Sequence, residues 1–129
     1  MMPVALLIPV PDVAQGLKWY KQAFPDAKER LCNDDSLAFL KLNGFMIEIV
    51  LADNKVSSGK RGTVLYWQVS DLAQSLAKFE AMGAKLYRGP MKIENGNYIC
   101  QVEDPFGSLL GYADHEISVF IKHLESINQ

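Results

Sequence analysis

Residues 10–24 read VPDVAQGLKWYKQAF, and residues 69–83 read VSDLAQSLAKFEAMG. Both fit the frame V-x-D-[VL]-A-Q-x-L-x-x-[YF]; residue 10 against residue 69 is an offset of 59, close to half of the 129-residue chain. In each copy an aspartate, Asp12 or Asp71, is followed three positions on by a glutamine, Gln15 or Gln74. An aspartate ahead of a helix accepts from an early backbone N–H that has no partner inside the helix, and a glutamine at the third position can reach back to the cap. Val13, Leu17, Tyr20 and Phe24 in the first copy, and Leu72, Leu76, Phe79 and Met82 in the second, recur at the spacing of one helix face. Pro25 stops the first helix, and Gly83 supplies the residue past the end of the second. Matching caps with a matching apolar phase indicate one unit used twice.

Working outward, each helix follows a strand-like run, at 4–10 and 63–69. After the first helix come runs at 28–32, 36–42 (SLAFLKL) and 45–51 (FMIEIVL), the last two joined by Asn43-Gly44, a type I′ hairpin signal. After the second helix come runs at 85–88, 97–103 and 109–113, with Asp104-Pro105-Phe106-Gly107 as a turn. Arg88-Gly89-Pro90 and Glu94-Asn95-Gly96 read as loop. Each half is therefore β-α-β-β-β. The expectation is an α+β fold forming a single domain over residues 1–129. Module 1 covers about 4–51, a polar linker 52–61, and module 2 about 62–113. A terminal helix over about 115–127 would place Ile117, Phe120, Ile121, Leu124 and Ile127 on one face, with Asp114 as its cap.

Composition narrows the class. Apolar residues make up 49% and charged residues 22%, which fits a soluble globular chain. A formal charge of −2 gives no reason to expect nucleic acid or an anionic membrane as a partner. The opening MMPVALLIPVP lacks a basic start and is too short to span a bilayer, so it reads as a buried strand rather than a signal or anchor. Cys32 and Cys100 form no metal-type spacing and no disulfide-rich pattern, so a reduced, cytoplasmic compartment is expected, and a single disulfide stays open.

Strand residues alternate sides, and directly opposed residues share a side. Pairing Leu42 with Phe45 across Asn43-Gly44 places Ala38, Leu40, Ile47 and Ile49 on an apolar face towards the helix. Phe39, Lys41, Met46 and Glu48 fall on a mixed face. In the second module Leu65, Trp67 and Val69 face the helix, while Val64, Tyr66 and Gln68 face away. A four-residue turn at 104–107 pairs Cys100 with Gly111 and Tyr98 with Ala113 on the mixed side, leaving Gln101 and Glu103 among the helix-side residues. Two mixed faces curving around a shared cleft would have Phe39, Glu48, Tyr66, Gln68, Tyr98 and Cys100 as ligand-binding candidates.

The paired βαβββ modules, the V-[PS]-D-[VL]-A-Q-x-L helix starts and the D-P-F-G turn at Asp104–Gly107 together resemble the vicinal oxygen chelate superfamily. Its members include glyoxalase I, extradiol dioxygenases, fosfomycin-modifying enzymes and bleomycin-resistance proteins. The resemblance spans residues 4 to about 113 and implies a curved, cleft-enclosing mixed sheet with helices outside. In the enzymes of that family four strand positions, usually histidine or glutamine and glutamate, hold a divalent ion that chelates two adjacent substrate oxygens. Carried over by distance from the cap aspartates and the last turn, those positions fall on Ala5, Glu48, Val64 and Gly111. Only Glu48 has a side chain able to ligate, so no cofactor is expected. Asp114, His115 and Glu116 read as a helix cap and first turn, and His123 as a residue of that helix. The resemblance thus implies a bleomycin-resistance-like homodimer that binds a small organic molecule. The alternative is a lyase, isomerase or dioxygenase with a non-standard metal site or with Glu48 as base. An interaction module with a filled cleft is a third reading.

Overall fold

The computed structural model describes residues 1–31, 36–93 and 96–114. In chain order the elements are β1 (Ala5–Val10), α1 (Val13–Ala23), β2 (Lys28–Leu31), β3 (Leu37–Leu42), β4 (Phe45–Leu51), β5 (Tyr66–Gln68), α2 (Leu72–Ala81), β6 (Lys85–Lys92), β7 (Tyr98–Glu103) and β8 (Leu109–Ala113). The fold is α+β, with βαβββ occurring twice. The chain divides into two compact units, Met1–Gly59 and Lys60–Gln129. The expected terminal helix at 115–127, with His115, Glu116 and His123, lies outside the described residues, as does Cys32.

Both helix starts are built as the repeat predicts. Asp12 and Asp71 are extended, and each side chain accepts from the N–H three residues on, Gln15 and Gln74, at 3.0 Å. At the far end of α1, Lys21 Nζ donates to the carbonyl of Pro25 at 3.0 Å and to that of Ala27, placing a cation where the helix dipole is negative.

In the first unit the sheet order is β1-β4-β3-β2, with β1 and β4 parallel. Asn43 and Gly44 take φ +28° and +81°, the two positive values a type I′ turn demands. The register follows from it: Leu42 opposite Phe45, Lys41 opposite Met46, Phe39 opposite Glu48. Ile8, Val10, Ala38, Leu40, Ile47 and Ile49 are buried on the helix side, facing Val13, Trp19, Tyr20 and Ala23 of α1. The helix comes closest at Gly16, where a Cβ would lie 2.9 Å from methyl groups of both Val10 and Ile49. This close seat turns the buried stripe towards Gly16, Trp19 and Ala23. Leu17 and Phe24 are only half-buried as a result.

In the second unit the order is β5-β8-β7-β6, with β5 and β8 parallel. Here the expected pairing of Cys100 with Gly111 and of Tyr98 with Ala113 is corrected by one residue. Cys100 lies opposite Tyr112, Gln101 opposite Gly111, and Ile99 opposite Ala113. The cause is the loop. Asp104 N–H still donates to the carbonyl of Ser108 at 2.8 Å, so only Pro105, Phe106 and Gly107 are left between the strands. Gly107 takes φ +96°, as the last residue of a type I turn with a G1 bulge does. The Asp104 carboxylate closes the loop by accepting from Phe106 N–H at 2.9 Å and Ser108 N–H at 2.8 Å. A one-residue slip moves every side chain to the other face. Cys100, Val102, Leu110 and Tyr112 therefore join Leu72 and Phe79 in the core, with the Phe79 and Tyr112 rings stacked at 4.5 Å.

Two strand lengths also differ. β5 is limited to three residues, although Leu65 and Val69 still bond to β8 through their backbones. β6 runs through Arg88-Gly89-Pro90, which reads as loop in the sequence. Register shifts on either side of Arg88, with Gly89 at φ +85°, absorb the residues that cannot continue a regular ladder.

Candidate functional site

Each sheet has one face covered by the helix of its own unit and one face, the open face, that no described helix of that unit covers, and the registers settle which side chains share it. In the first unit Ala5 and Leu7 of β1 lie beside Met46 and Glu48 of β4, and Phe39 and Lys41 of β3 continue the row. β2 extends it with Arg30 opposite Phe39 and Lys28 opposite Lys41. Glu48 and Phe39 are half-buried and adjacent, while Leu7 is 45% exposed. Two sequence-predicted candidates, Phe39 and Glu48, are thus brought together here.

In the second unit the open face is centred on Tyr66. Its ring covers Gly111, the paired residue on β8, so closely that a Cβ at Gly111 would lie 2.0 Å from a ring carbon. Gln101, opposite Gly111 on the other side, donates from Nε2 to Tyr66 Oη at 2.8 Å. Ring and amide hold each other in place. Gln68 is exposed two residues along the same strand face. At the rim Lys60 Nζ lies 3.1 Å from Glu103 Oε1 and 5.8 Å from the centroid of the Tyr87 ring.

Two sequence-predicted candidates sit elsewhere. Cys100 is 1% exposed on the helix side, and burial pushes its thiol pKa up, which disfavours the reactive thiolate. Tyr98 is exposed at the start of β7, where its N–H donates to Asp114 Oδ1 at 3.0 Å. It borders a cavity of about 350 Å³ at the start of α2, lined also by Ser70, Asp71 and Pro90. Both displacements follow from the bulge at Gly107. Sequence reasoning missed Gln101, placed by a slipped register among helix-side residues, and Arg88, read as loop. Arg88 lies opposite Gln101 on β6. The Gly at the third turn position was the signal that could have found Gln101.

The repeated βαβββ unit is a family architecture, and sequence comparison identifies the family. Residues 3–112 match the Glyoxalase/Bleomycin resistance protein/Dioxygenase superfamily, and the chain belongs to that family. The fold is shared with FosX, a genomically encoded fosfomycin resistance protein from Listeria monocytogenes (TM-score 0.76, 14% identity, covering 95% of this chain and 96% of that one). It is shared with a glyoxalase/bleomycin resistance protein/dioxygenase family enzyme from Burkholderia phytofirmans PsJN (TM-score 0.71, 18% identity, 85% and 95%). A lactoylglutathione lyase from Agrobacterium tumefaciens is similar as well (TM-score 0.66, 18% identity, 87% and 92%). No curated protein sequence matches the chain.

The family's metal ion can be tested against the residues present. The positions expected from the resemblance are Ala5 and Glu48 in the first unit, and Val64 and Gly111 in the second. A methyl, an isopropyl group and a hydrogen offer no lone pair, and one carboxylate alone does not hold a divalent ion against water. At Gly111 the space a ligand side chain would need is already filled by the Tyr66 ring. Among the described residues no three of His, Cys, Asp and Glu are grouped to hold a metal. The residues do not fit the ion.

Proposed function

We propose that this protein binds a small organic molecule at the open faces of its sheets, as a bleomycin-resistance-like member of the family that works without the usual catalytic ion. The observation that carries the reading is the Tyr66 ring over Gly111. A position that holds a ligand in the family's enzymes is here closed by an aromatic surface suited to stacking on an organic molecule. Phe39 and Glu48 in one unit, with Tyr66, Gln68 and Gln101 in the other, are the side chains proposed to make contact. We take the working form to be a cytoplasmic homodimer. Exposed Leu7 and Leu51 are consistent with self-association, and no helix among the described residues is long and apolar enough to cross a membrane.

The test is elemental analysis of tag-free protein incubated with Fe, Mn, Ni, Zn and Mg and then desalted. The expected result is no stoichiometric ion in a normally folded chain. One retained ion per chain would overturn the reading and send the work to lyase, isomerase and dioxygenase assays.

A second reading is favoured by Glu48, a half-buried carboxylate whose direct neighbours across the strands are Leu7 and Phe39. Such a group can serve as a general base in a metal-free catalyst. If it does, Glu48→Gln abolishes turnover while the circular dichroism spectrum is unchanged. Undiminished turnover would exclude that role.

A further inference from the structure

Charge is sorted by face in this protein. The chain carries 13 Lys and Arg against 15 Asp and Glu. On the open face of the first sheet the registers place Lys28, Arg30 and Lys41 with a single carboxylate, Glu48. On the second, Lys85 and Arg88 lie opposite Glu103 and Gln101, and Lys60 joins them through its ion pair with Glu103. Each open face thus has three cations and one carboxylate. Among the described residues the remaining six basic side chains, Lys18, Lys21, Lys55, Arg61, Lys78 and Lys92, stand against eight acidic ones, so the excess of cations is confined to these faces. Charge on β2 and β6, the edge strands, also discourages strand-to-strand association. That role is indifferent to sign, whereas these faces repeat one sign in an acidic protein.

From this sorting we propose that the open face of the second sheet selects a flat organic anion, a carboxylate carried on an aromatic body, with Arg88 as the residue that reads the charge. The inference rests on the small-molecule reading above and narrows it to a ligand class. Lys60 already has Glu103 as counter-ion, at 3.1 Å. Arg88 is exposed and has no carboxylate partner among the described residues. Its planar fork suits the two oxygens of a carboxylate, which a lysine meets only as a point charge. Beside it Gln101 gives one amide N–H to Tyr66 Oη, which leaves the phenol O–H available as a donor to an incoming acceptor. The Tyr66 ring, fixed over Gly111, and the neighbouring Ile99 and Met91 supply a surface for the aromatic body. Gln101 and Tyr66 act as positioning and stacking groups, and the guanidinium decides between charged and neutral ligands.

The experiment compares 2-naphthoate with 2-naphthamide, which have the same rings and nearly the same shape but differ in charge, by isothermal titration of the full chain. The expected result is naphthoate binding about tenfold more tightly, the scale of one hydrogen bond to a charged group. The margin should shrink as salt is raised, because an exposed charge pair is screened. It should vanish in Arg88→Gln and be partly kept in Arg88→Lys. The salt titration on unsubstituted protein tests the same point should a variant misfold. Equal affinities, or a margin that survives Arg88→Gln, overturn the anion inference and leave the small-molecule reading standing. Failure of both probes to bind overturns the inference together with stacking on Tyr66.

Discussion

Gly111 and Tyr66 form a pair in which the absence of one side chain allows the placement of another. Giving residue 111 a methyl group would push the ring off its seat and break its bond to Gln101. Gly111→Ala is expected to lower stability by about 1–2 kcal/mol, the usual cost of overpacking at a site with some room to relax. Urea melts of Gly111→Ala, Tyr66→Ala and the double variant check it. The double variant should lose less than the sum of the two, because the clash is gone once the ring is removed. A second residue-scale expectation concerns Tyr112, whose buried hydroxyl has no partner among the described residues. Tyr112→Phe should therefore be neutral or stabilising at pH 7. Burial, with the Cys100 and Asp104 charges, pushes the phenol above its ordinary range, and burial raises the Cys100 thiol. A folded-state pKa above the unfolded value means stability that is complete below the unfolded pKa and lost as pH climbs beyond it. The loss should begin above about pH 8.5 through Cys100 and steepen above about pH 10 through Tyr112. Urea midpoints against pH should lose the first step in Cys100→Ala and the second in Tyr112→Phe.

At the scale of elements, the two helix caps are the same device in two settings, and their worth can be compared directly. Asp12→Ala and Asp71→Ala each leave one early N–H without its acceptor and should each cost about 1 kcal/mol, measurable as separate shifts in thermal midpoint. The caps, both helices and the Asn43-Gly44 hairpin were legible because their chemistry is local: a side chain and an amide three residues apart, or two adjacent residues with positive φ. From that hairpin the register of β3 on β4 followed, and with it the joint placement of Phe39 and Glu48. The β7–β8 register was not legible in the same way. Asp-Pro-Phe-Gly serves a four-residue turn or a three-residue loop with a bulge, and the choice depends on where the Asp104 carboxylate finds its amides. That ambiguity put Cys100 and Tyr98 on the wrong face and hid Gln101. β6 was hidden for another reason: Gly89-Pro90 is loop chemistry by composition, and only pairing with β7 shows it to be a bulge inside a strand. Tyr66 and Gln68 were placed correctly by alternation alone, but nothing in the sequence said that the Tyr66 ring would lie on Gly111.

For the molecule as a whole, the βαβββ unit recurs in both halves, while the four positions that the family resemblance marks for metal ligands carry Ala5, Glu48, Val64 and Gly111. Cap, helix and three-stranded meander recur in both units, as packing requires. The open faces are free to differ, because side chains there are not needed to fill the core. The loop at 105–107 shows how narrow that freedom is. Its length, rather than its composition, decides which half of β7 looks outward. Deleting a single residue there would present a thiol to solvent and drive Gln101 and Glu103 into a dry interior that cannot hydrate them. Conversely, a lineage could exchange the entire chemical character of this face in one insertion event, with no substitution at any residue that touches a ligand.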